Sequence, residues 1–440
     1  MALKIVNSES LDAVANAINE SAGTTGAINF PDGFVEKIGK LGSDKLPSVI
    51  SGTVTELTEK DFGDITSLRH YALYGCGVTD VKMPDTIVTI NNNVFTYCSK
   101  LASIKLSNNL KTFGKETFSG CTKLQSIKLP MSLTTLGNYL FNGCSSLKFI
   151  EVPNGVTEIP QYMVYGCSSL RAFDLTSYTN NNFPSLANVN AFTNTHADMK
   201  IIVPIGRKAT LAGMTNWSSF ASKIFEFDKD VATEGVIIDY SSDGTKRVCS
   251  GIGDYVEDPY IVIPTDYEGE PILEVSNYAF NNNTKVVRVY LNNAERIGVG
   301  TFSNCSNLIS VDAPNVKVIG YNAFYGAGIL SLDLPNLVEM GSDTCVKCAN
   351  LERANLGKVN AVTSWTFTNC SALKTLILPN TAKISTLQAT NAFDATPIAS
   401  GNGYIYVPRA LIDSYKTATN WSVFANQFRA IEDYPEIIGG

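Results

Sequence analysis

Cysteine recurs at an almost constant interval in the first half of the chain, at Cys76, Cys98, Cys121, Cys144 and Cys167. The intervals are 22, 23, 23 and 23 residues. A period of this length is typical of a solenoid, in which each repeat is one coil that packs only on its neighbours. This repetition constrains the fold more than any other feature of the sequence, because every coil must bring the same side chains to the same place in the core.

Each recurring cysteine closes the same frame of apolar residues. Between two of the cysteines this frame consists of Leu124, Ile127, Leu129, Leu133, Leu136, Leu140 and Phe141. Its Leu-x-x-Ile-x-Leu part has period 2 and predicts a short strand with one buried face, ended by Pro130. The remainder predicts a turn or short helix that closes the coil, so Ile127 and Leu136 should both be buried. The frame is that of a leucine-rich repeat, and successive strands should form one parallel, curved sheet.

A second array follows the first, and both arrays end in the same way. Phe280, Phe302, Phe324 and Phe367 each lie three residues before the position that cysteine holds in the frame. The motif Asn-Trp-Ser at 216–218 returns at 420–422, which is an offset of 204 residues, so the chain contains an internal duplication. Each motif follows a Val-Pro pair and predicts a C-terminal cap of a strand and a helix that shields the last coil from water.

The sequence therefore predicts a mainly β solenoid of the α/β type in three parts. Residues 1–44 form a short helical attachment segment, residues 45–228 the first array with its cap, and residues 229–440 the second array with an opening hairpin and its cap. Two short helices bury too little surface to be stable alone, so the first segment should contact another chain. Its predicted apolar faces consist of Leu11, Val14, Ile18, Phe34, Val35 and Ile38.

The repeat frame resembles the BspA-like leucine-rich repeats of bacterial surface proteins, over roughly residues 54–434. The resemblance rests on variants of one element, such as Thr-Phe-Ser-Gly-Cys at 117–121 and Thr-Phe-Ser-Asn-Cys at 301–305. It implies a cell-surface adhesin. The opening segment, with Ser-Leu-Asp-Ala-Val-Ala at 10–15 and Phe-Pro-Asp-Gly-Phe-Val at 30–35, is similar to the leader of structural proteins in phages of gut bacteria. That second resemblance implies a virion appendage or a receptor-binding role.

Composition and short motifs exclude several classes of function. The net charge is −7 and no run of lysine and arginine occurs, which disfavours nucleic-acid binding. No stretch approaches 18 consecutive apolar residues, so we expect no membrane insertion. The first seven residues lack the apolar core of a signal peptide, which favours a protein kept in the producing cell until release.

The ten cysteines and the two histidines predict neither a metal site nor a cofactor. Cysteines in the repeat frame should be buried packing groups and free thiols. Cys345 and Cys348 have the spacing of a metal pair, but no second pair or nearby histidine completes a site. His70 and His196 lie far apart in the sequence. No nucleophile elbow or phosphate-binding loop is visible, so we expect no enzymatic activity.

The candidate binding residues are those that alternate with the buried strand positions and therefore point away from the core. Extended sheet faces are what solenoids use for binding. Aromatic residues are enriched at binding hot spots, so Phe149 and Tyr290 are the leading candidates. The full predicted set is Lys105, Lys128, Phe149, Glu151, Asp174, Arg288, Tyr290, Asp312, Asp333 and Arg353.

Three interpretations of function remain open. The leading one is a non-enzymatic virion protein, assembled in the host cytoplasm, that forms a homo-oligomer. It would bind other virion proteins through residues 1–44 and a host cell-surface protein or glycan through the arrays. The alternatives are an adhesin on the bacterial cell surface and a protein-interaction scaffold.

Overall fold

The computed structural model describes residues 55–254, 256, 258–434 and 437. The chain divides into two compact units, residues 1–227 and residues 228–440. The predicted attachment residues Leu11, Val14, Ile18, Phe34, Val35 and Ile38 lie outside the described residues.

Each coil of the first unit contributes to two parallel ladders, which we call the front and back ladders. The front strands are Glu56–Leu57, Asp80–Lys82, Ser103–Lys105, Phe149–Glu151, Ala172–Asp174, Lys200–Pro204 and Ile224–Phe227. The back strands are Ser67–Leu68, Thr89–Ile90, Thr112–Phe113, Glu158–Ile159 and Ser185–Leu186. The coil at 124–129 forms no strand, so the front ladder of this unit is interrupted there.

The second unit repeats this plan and adds an opening hairpin. Its front strands are Tyr260–Val262, Arg288–Tyr290, Ser310–Asp312, Ser331–Asp333, Arg353–Asn355, Thr375–Ile377, Tyr404–Val407 and Phe428–Ala430. The back strands are Arg247–Ile252, Glu274–Val275, Arg296–Ile297, Val318–Ile319, Glu339–Met340, Ala361–Val362 and Thr386–Leu387. Val236–Tyr240 pairs antiparallel with the first back strand, which is the predicted hairpin. Asp266–Tyr267 and Glu270–Pro271 form a second, smaller hairpin.

Helices are short. The α-helices are Glu59–Phe62, Lys208–Ala212 and Ile412–Thr417. The 3₁₀ segments are Val189–Phe192, Trp217–Lys223, Thr390–Phe393, Arg409–Leu411, Trp421–Gln427 and Ile431–Asp433. The leucine-rich-repeat solenoid is confirmed, but one detail of the prediction is wrong. The return segment, predicted as a turn or short helix, contains a short back strand followed by turns. The front strands form interrupted ladders and not one sheet.

The core of each unit is a set of stacked rows that run from coil to coil. The Phe118 ring lies 5.4 Å from the Phe95 ring and 5.5 Å from the Phe141 ring, and both pairs are nearly parallel. Ile127 and Leu136 are buried, as predicted. Because every member of a row is covered only by the coils on either side, burial of apolar surface, the main favourable term in folding, depends on contacts between neighbouring coils.

The cysteine position adds a hydrogen bond to this packing. The Cys144 thiol donates to the Phe118 carbonyl of the preceding coil, with 3.1 Å between sulfur and oxygen. Equivalent bonds of 2.8 to 3.2 Å are made by Cys98, Cys121, Cys167, Cys305, Cys348 and Cys370. A thiol is a weak donor, but here it bonds a carbonyl that is closed off from water. Cysteine in the frame is therefore both a packing group and a link between coils.

The two caps are built alike, as the duplication predicts. Trp217 and Trp421 are fully buried. The Trp217 indole nitrogen donates to the Pro184 carbonyl at 2.8 Å. The Trp421 nitrogen donates to the Ser385 carbonyl at 2.7 Å. Each tryptophan thus fixes its cap to the last coil through one apolar contact surface and one directed bond.

Replacement of either cap tryptophan by phenylalanine should weaken the unit that contains it. Trp217→Phe and Trp421→Phe each remove a buried donor, and we expect each to lower the free energy of unfolding by about 1–3 kcal/mol. Trp365→Phe is the matched control, because Trp365 is 46% exposed, and should change the stability by less than about 0.5 kcal/mol. Calorimetric unfolding of the full chain measures all three. If Trp365→Phe lowered the free energy of unfolding as much as the two cap substitutions, the buried cap tryptophans would contribute no more to stability than an exposed one.

Alkylation should distinguish one cysteine from the rest. The thiolate is the reactive form. Cys76 is half-buried, and its side-chain hydrogen bond with Cys98 lowers its pKa, whereas burial raises the pKa of Cys144 to about 12. Iodoacetamide at pH 8 should therefore modify Cys76 first, as read by peptide mass spectrometry, and all ten thiols should react in urea. Modification of Cys144 at the rate of Cys76 would contradict the buried position of the frame cysteines.

Candidate binding surface

The outer face of the front ladder in the first unit carries five of the predicted binding residues. Lys105 is exposed on its strand, and its Nζ lies 3.4 Å from Glu59 Oε1. Lys128 is exposed but belongs to the coil that forms no strand. Glu151 is half-buried.

Two predictions in this unit are wrong, because Phe149 and Asp174 are buried and do not point into solvent. Phe149 is 6% exposed and Asp174 is 1% exposed. The register places Phe149 beside Ala172, which is also buried, and Asp174 beside the buried Ile202. The Asp174 carboxylate turns back to accept the Thr176 amide at 2.7 Å. The period-2 pattern predicted the correct side of the strand for both residues. At this end of the unit, however, the side chains at outward strand positions are largely apolar and buried.

In the second unit the predicted residues do come together. Arg288, Tyr290, Asp312 and Asp333 line one groove of about 300 Å³ on the outer face of the front ladder. Ser310 and Ser331 lie between them. Arg353 follows on the next strand, and its Nη1 is 3.8 Å from Asp333 Oδ2. The groove therefore spans three consecutive front strands, from Arg288–Tyr290 to Ser331–Asp333.

The groove lies where one coil is a residue short. Paired positions of neighbouring front strands, such as Val289 and Val311, are 22 residues apart. Leu332 and Ala354 are also 22 apart, but Val311 and the corresponding Leu332 are 21 apart. The Leu330 amide still donates to the Ile309 carbonyl at 3.0 Å, but beyond that bond the front ladder is interrupted between these two strands. A shortened coil thus leaves an opening in a ladder that is continuous on both sides.

A backbone amide marks the interruption. The Leu291 amide donates to the Asp312 carbonyl, and the Leu334 amide donates to the Asn355 carbonyl, each at 2.9 Å. The Ala313 amide holds the equivalent place at the opening, and it donates to no carbonyl of the described residues. Ala313 is only 2% exposed. A buried amide without an acceptor is rare in folded proteins, so this position is a donor directed at the opening.

The carboxylates of the groove differ in how they are held. Asp333 Oδ1 accepts a bond of 2.7 Å from Asn355 Nδ2, and the Arg353 guanidinium lies on its other side. Burial lowers the pKa of Arg353, and the Asp333 carboxylate opposes that shift. Asp312 is exposed, and its carboxylate accepts no hydrogen bond from the part of the chain that the structure describes. One carboxylate is therefore fixed and the other is available to a ligand.

Tyr290 is the aromatic residue that lines the groove, and it lies beside a second tyrosine. Tyr260 is buried, and its ring centroid lies 6.5 Å from that of the half-buried Tyr290. The Arg288 guanidinium lies 5.6 Å from the Tyr260 ring centroid, within the range of a cation–π contact. The half-buried Tyr290 ring thus lies beside Tyr260 and forms part of the groove lining.

A segment near the C-terminus covers the other end of the same face. Ile377 and Tyr406 occupy outward positions of the front ladder, yet they are buried against Ile431, Tyr434 and Ile437. The Arg353 Nη2 donates to the Ile437 carbonyl at 2.8 Å. The repeat frame does not predict this cover, because the segment lies outside the frame and no periodic pattern links it to the face that it contacts.

The described residues hold neither a candidate metal site nor a helix that could span a membrane. Among them, no three His, Cys, Asp or Glu side chains are placed to hold a metal ion. Cys345 and Cys348 are fully buried, and the Cys348 thiol bonds the Phe324 carbonyl at 2.8 Å, as the frame requires. No helix in the described ranges is long and apolar enough to cross a membrane.

The repeat pattern identifies the family. A model of the BspA-type leucine-rich repeat region matches residues 66–197 and 273–397 in six copies, which is more than half of the 440 residues. The chain therefore belongs to the BspA-type leucine-rich repeat family, as the repeat frame predicted. No curated protein sequence matches the chain. The similarity of residues 1–44 to phage leaders stays a prediction.

Several solved structures are similar to the chain. A leucine-rich cell surface protein of Faecalibacterium prausnitzii is 21% identical, with 71% of this chain and 82% of that one covered and a TM-score of 0.28. The pneumococcal vaccine antigen PcpA is 19% identical, with 86% and 83% covered and a TM-score of 0.34. A leucine-rich repeat protein of Bacteroides ovatus is 20% identical, with 83% and 88% covered and a TM-score of 0.28. The family assignment rests on the repeat match and not on these similarities.

Proposed function

We propose that this chain is a non-enzymatic interaction protein of the adhesin type, which binds a cell-surface protein or glycan through the outer face of its front ladder. The family supports this proposal, because leucine-rich repeats are built to present extended binding faces. The observation that carries it is the groove of the second unit, where four of the predicted binding residues line one opening.

The virion interpretation proposes the same binding activity and adds that the protein is part of a phage particle. A phage appendage would also bind a host surface, and the two interpretations differ in what residues 1–44 attach to. Those residues lie outside the described ranges, so attachment to other virion proteins and homo-oligomer formation stay predictions. Mass spectrometry of purified phage particles decides between them, because only a virion protein co-purifies with the particle. The alternative favoured by the family is a location on the bacterial cell surface.

Binding to intact cells tests the proposed function. The fluorescently labelled full chain should bind bacterial or epithelial cells saturably in flow cytometry, and an excess of unlabelled chain should compete. Ser331→Arg places a long charged side chain in the groove, and we expect the apparent affinity to fall at least about tenfold, or 1.4 kcal/mol. Ser422→Arg is the matched control on an exposed serine of the cap and should bind like the wild type.

Two results would contradict the proposed function. The first is the absence of saturable binding to every cell type tested. The second is saturable binding that Ser331→Arg leaves unchanged, since the binding face would then lie elsewhere on the chain.

A further inference from the structure

We propose that the groove on the second unit is a carbohydrate site, which takes the terminal sugars of a neutral oligosaccharide. This inference rests on the proposed function and names the ligand class of its binding face. It depends on the groups that line the groove, on their charge balance and on the interrupted ladder.

The polar groups of the groove can both donate and accept hydrogen bonds. The Asp312 carboxylate is an acceptor, and neither it nor the Ser310 and Ser331 hydroxyls bond any other described side chain or backbone group. Each hydroxyl can donate one bond and accept others. The Ala313 amide adds a donor at the interruption. A sugar hydroxyl also donates and accepts, so a ring with several hydroxyl groups matches this mixture better than a ligand with one kind of polar group.

The charges of the groove favour a neutral ligand. Arg288 and Arg353 are cationic, Asp312 and Asp333 are anionic, and all four lie on or beside the groove. These four groups carry no net charge among themselves, so they do not favour an anion over a cation. Asp333 is already held by Asn355, so its second oxygen is oriented before a ligand arrives. A planar carboxylate held in one orientation, such as that of Asp333, suits hydrogen bonds with neighbouring hydroxyls of a sugar ring.

The Tyr290 ring supplies an apolar surface. Small-molecule sites combine aromatic side chains with a few placed polar groups. Tyr290 is half-buried beside Tyr260, so its ring is restrained while one part faces the groove. The carbon–hydrogen face of a sugar ring stacks on such a surface. No second apolar side chain competes for this role, because Val289 and Val311 of the lining are buried on the core side.

The dimensions agree with a short oligosaccharide end and disfavour a protein partner. Two of the three strands are paired, at a spacing of about 4.8 Å, and the third lies across the opening. The volume of about 300 Å³ lies at the lower limit for small-molecule sites. A protein partner generally anchors large apolar side chains in an interface. The groove offers such an anchor only the ring of Tyr290, because Val289 and Val311 are buried and the remaining lining side chains are polar.

A glycan microarray with the full chain as the probe tests this inference. The wild type should bind a subset of printed neutral oligosaccharides, and titration with the best of them should give a saturable isotherm. Tyr290→Ala and Asp312→Asn should each weaken that binding at least tenfold. The matched controls are Tyr278→Ala, at a tyrosine that is 59% exposed outside the groove, and Asp413→Asn on the cap helix, and both should bind normally. Thermal unfolding of all four variants checks that each is folded.

The outcomes separate this inference from the proposed function. If no printed glycan binds, or if the groove variants bind like the wild type, the carbohydrate site is wrong. Suppose that Ser331→Arg abolishes cell binding, that periodate oxidation of the cells leaves it intact and that protease treatment of the cells removes it. This combination of results would point to a protein partner. The proposed function would then stand and the carbohydrate site would fail. Loss of cell binding on periodate treatment, together with weakened binding of Tyr290→Ala on the array, supports both the proposed function and the carbohydrate site.

Discussion

A coil of this chain can bury its apolar side chains only against the coil before it and the coil after it. The parallel stack of Phe95, Phe118 and Phe141 and the thiol bond from Cys144 to the Phe118 carbonyl are two forms of this one contact. Stability in such an array is close to a sum over neighbours, so an uncovered end would expose a whole apolar layer. The buried tryptophans of the two caps meet that need in the same way at both ends of the duplication.

The same dependence on neighbours explains how one missing residue can create a site. The coil between Val311 and Leu332 is shortened in the turn at 327–329. At Gly328 a Cβ atom would lie 2.2 Å from the Ser306 carbonyl oxygen, so only glycine fits this turn. The back ladder accepts the shorter coil, since Val318 still pairs with Glu339, but the front ladder does not close. Core packing is kept, and the outer face gains an opening with polar walls.

Much of the fold could be predicted from the sequence, because the interval between cysteines and the apolar frame repeat the same physical requirement in every coil. Burial of Leu136 and the matching caps follow from that frame. Tyr290, which the sequence places at an outward position of the second unit, lines the groove, and its role in binding stays a prediction. Period 2 fixes the side of the strand on which a residue lies, but it carries no information about what covers that side. That is why Phe149 was predicted as exposed and is buried.

Other features left weaker signals. The cover formed by Ile431, Tyr434 and Ile437 lies outside the repeats, so no period predicts it. The shortened coil is visible in the sequence as an interval of 21 between corresponding residues, but its effect on strand pairing depends on how the turn closes. From the sequence alone, the shortened coil could have been predicted as an irregular repeat, but the groove could not have been predicted as a binding site.

The central claim is that the front ladder of the second unit is open between Ser310–Asp312 and Ser331–Asp333. Hydrogen exchange of the full chain at single-residue resolution tests it directly, because exchange reports which amides lack an acceptor. The Leu291 and Leu334 amides, which donate across closed parts of the ladder, should be strongly protected. The Ala313 amide should exchange much faster than either. Equal protection of the three amides would show a continuous ladder, and the groove with the function argued from it would have to be abandoned.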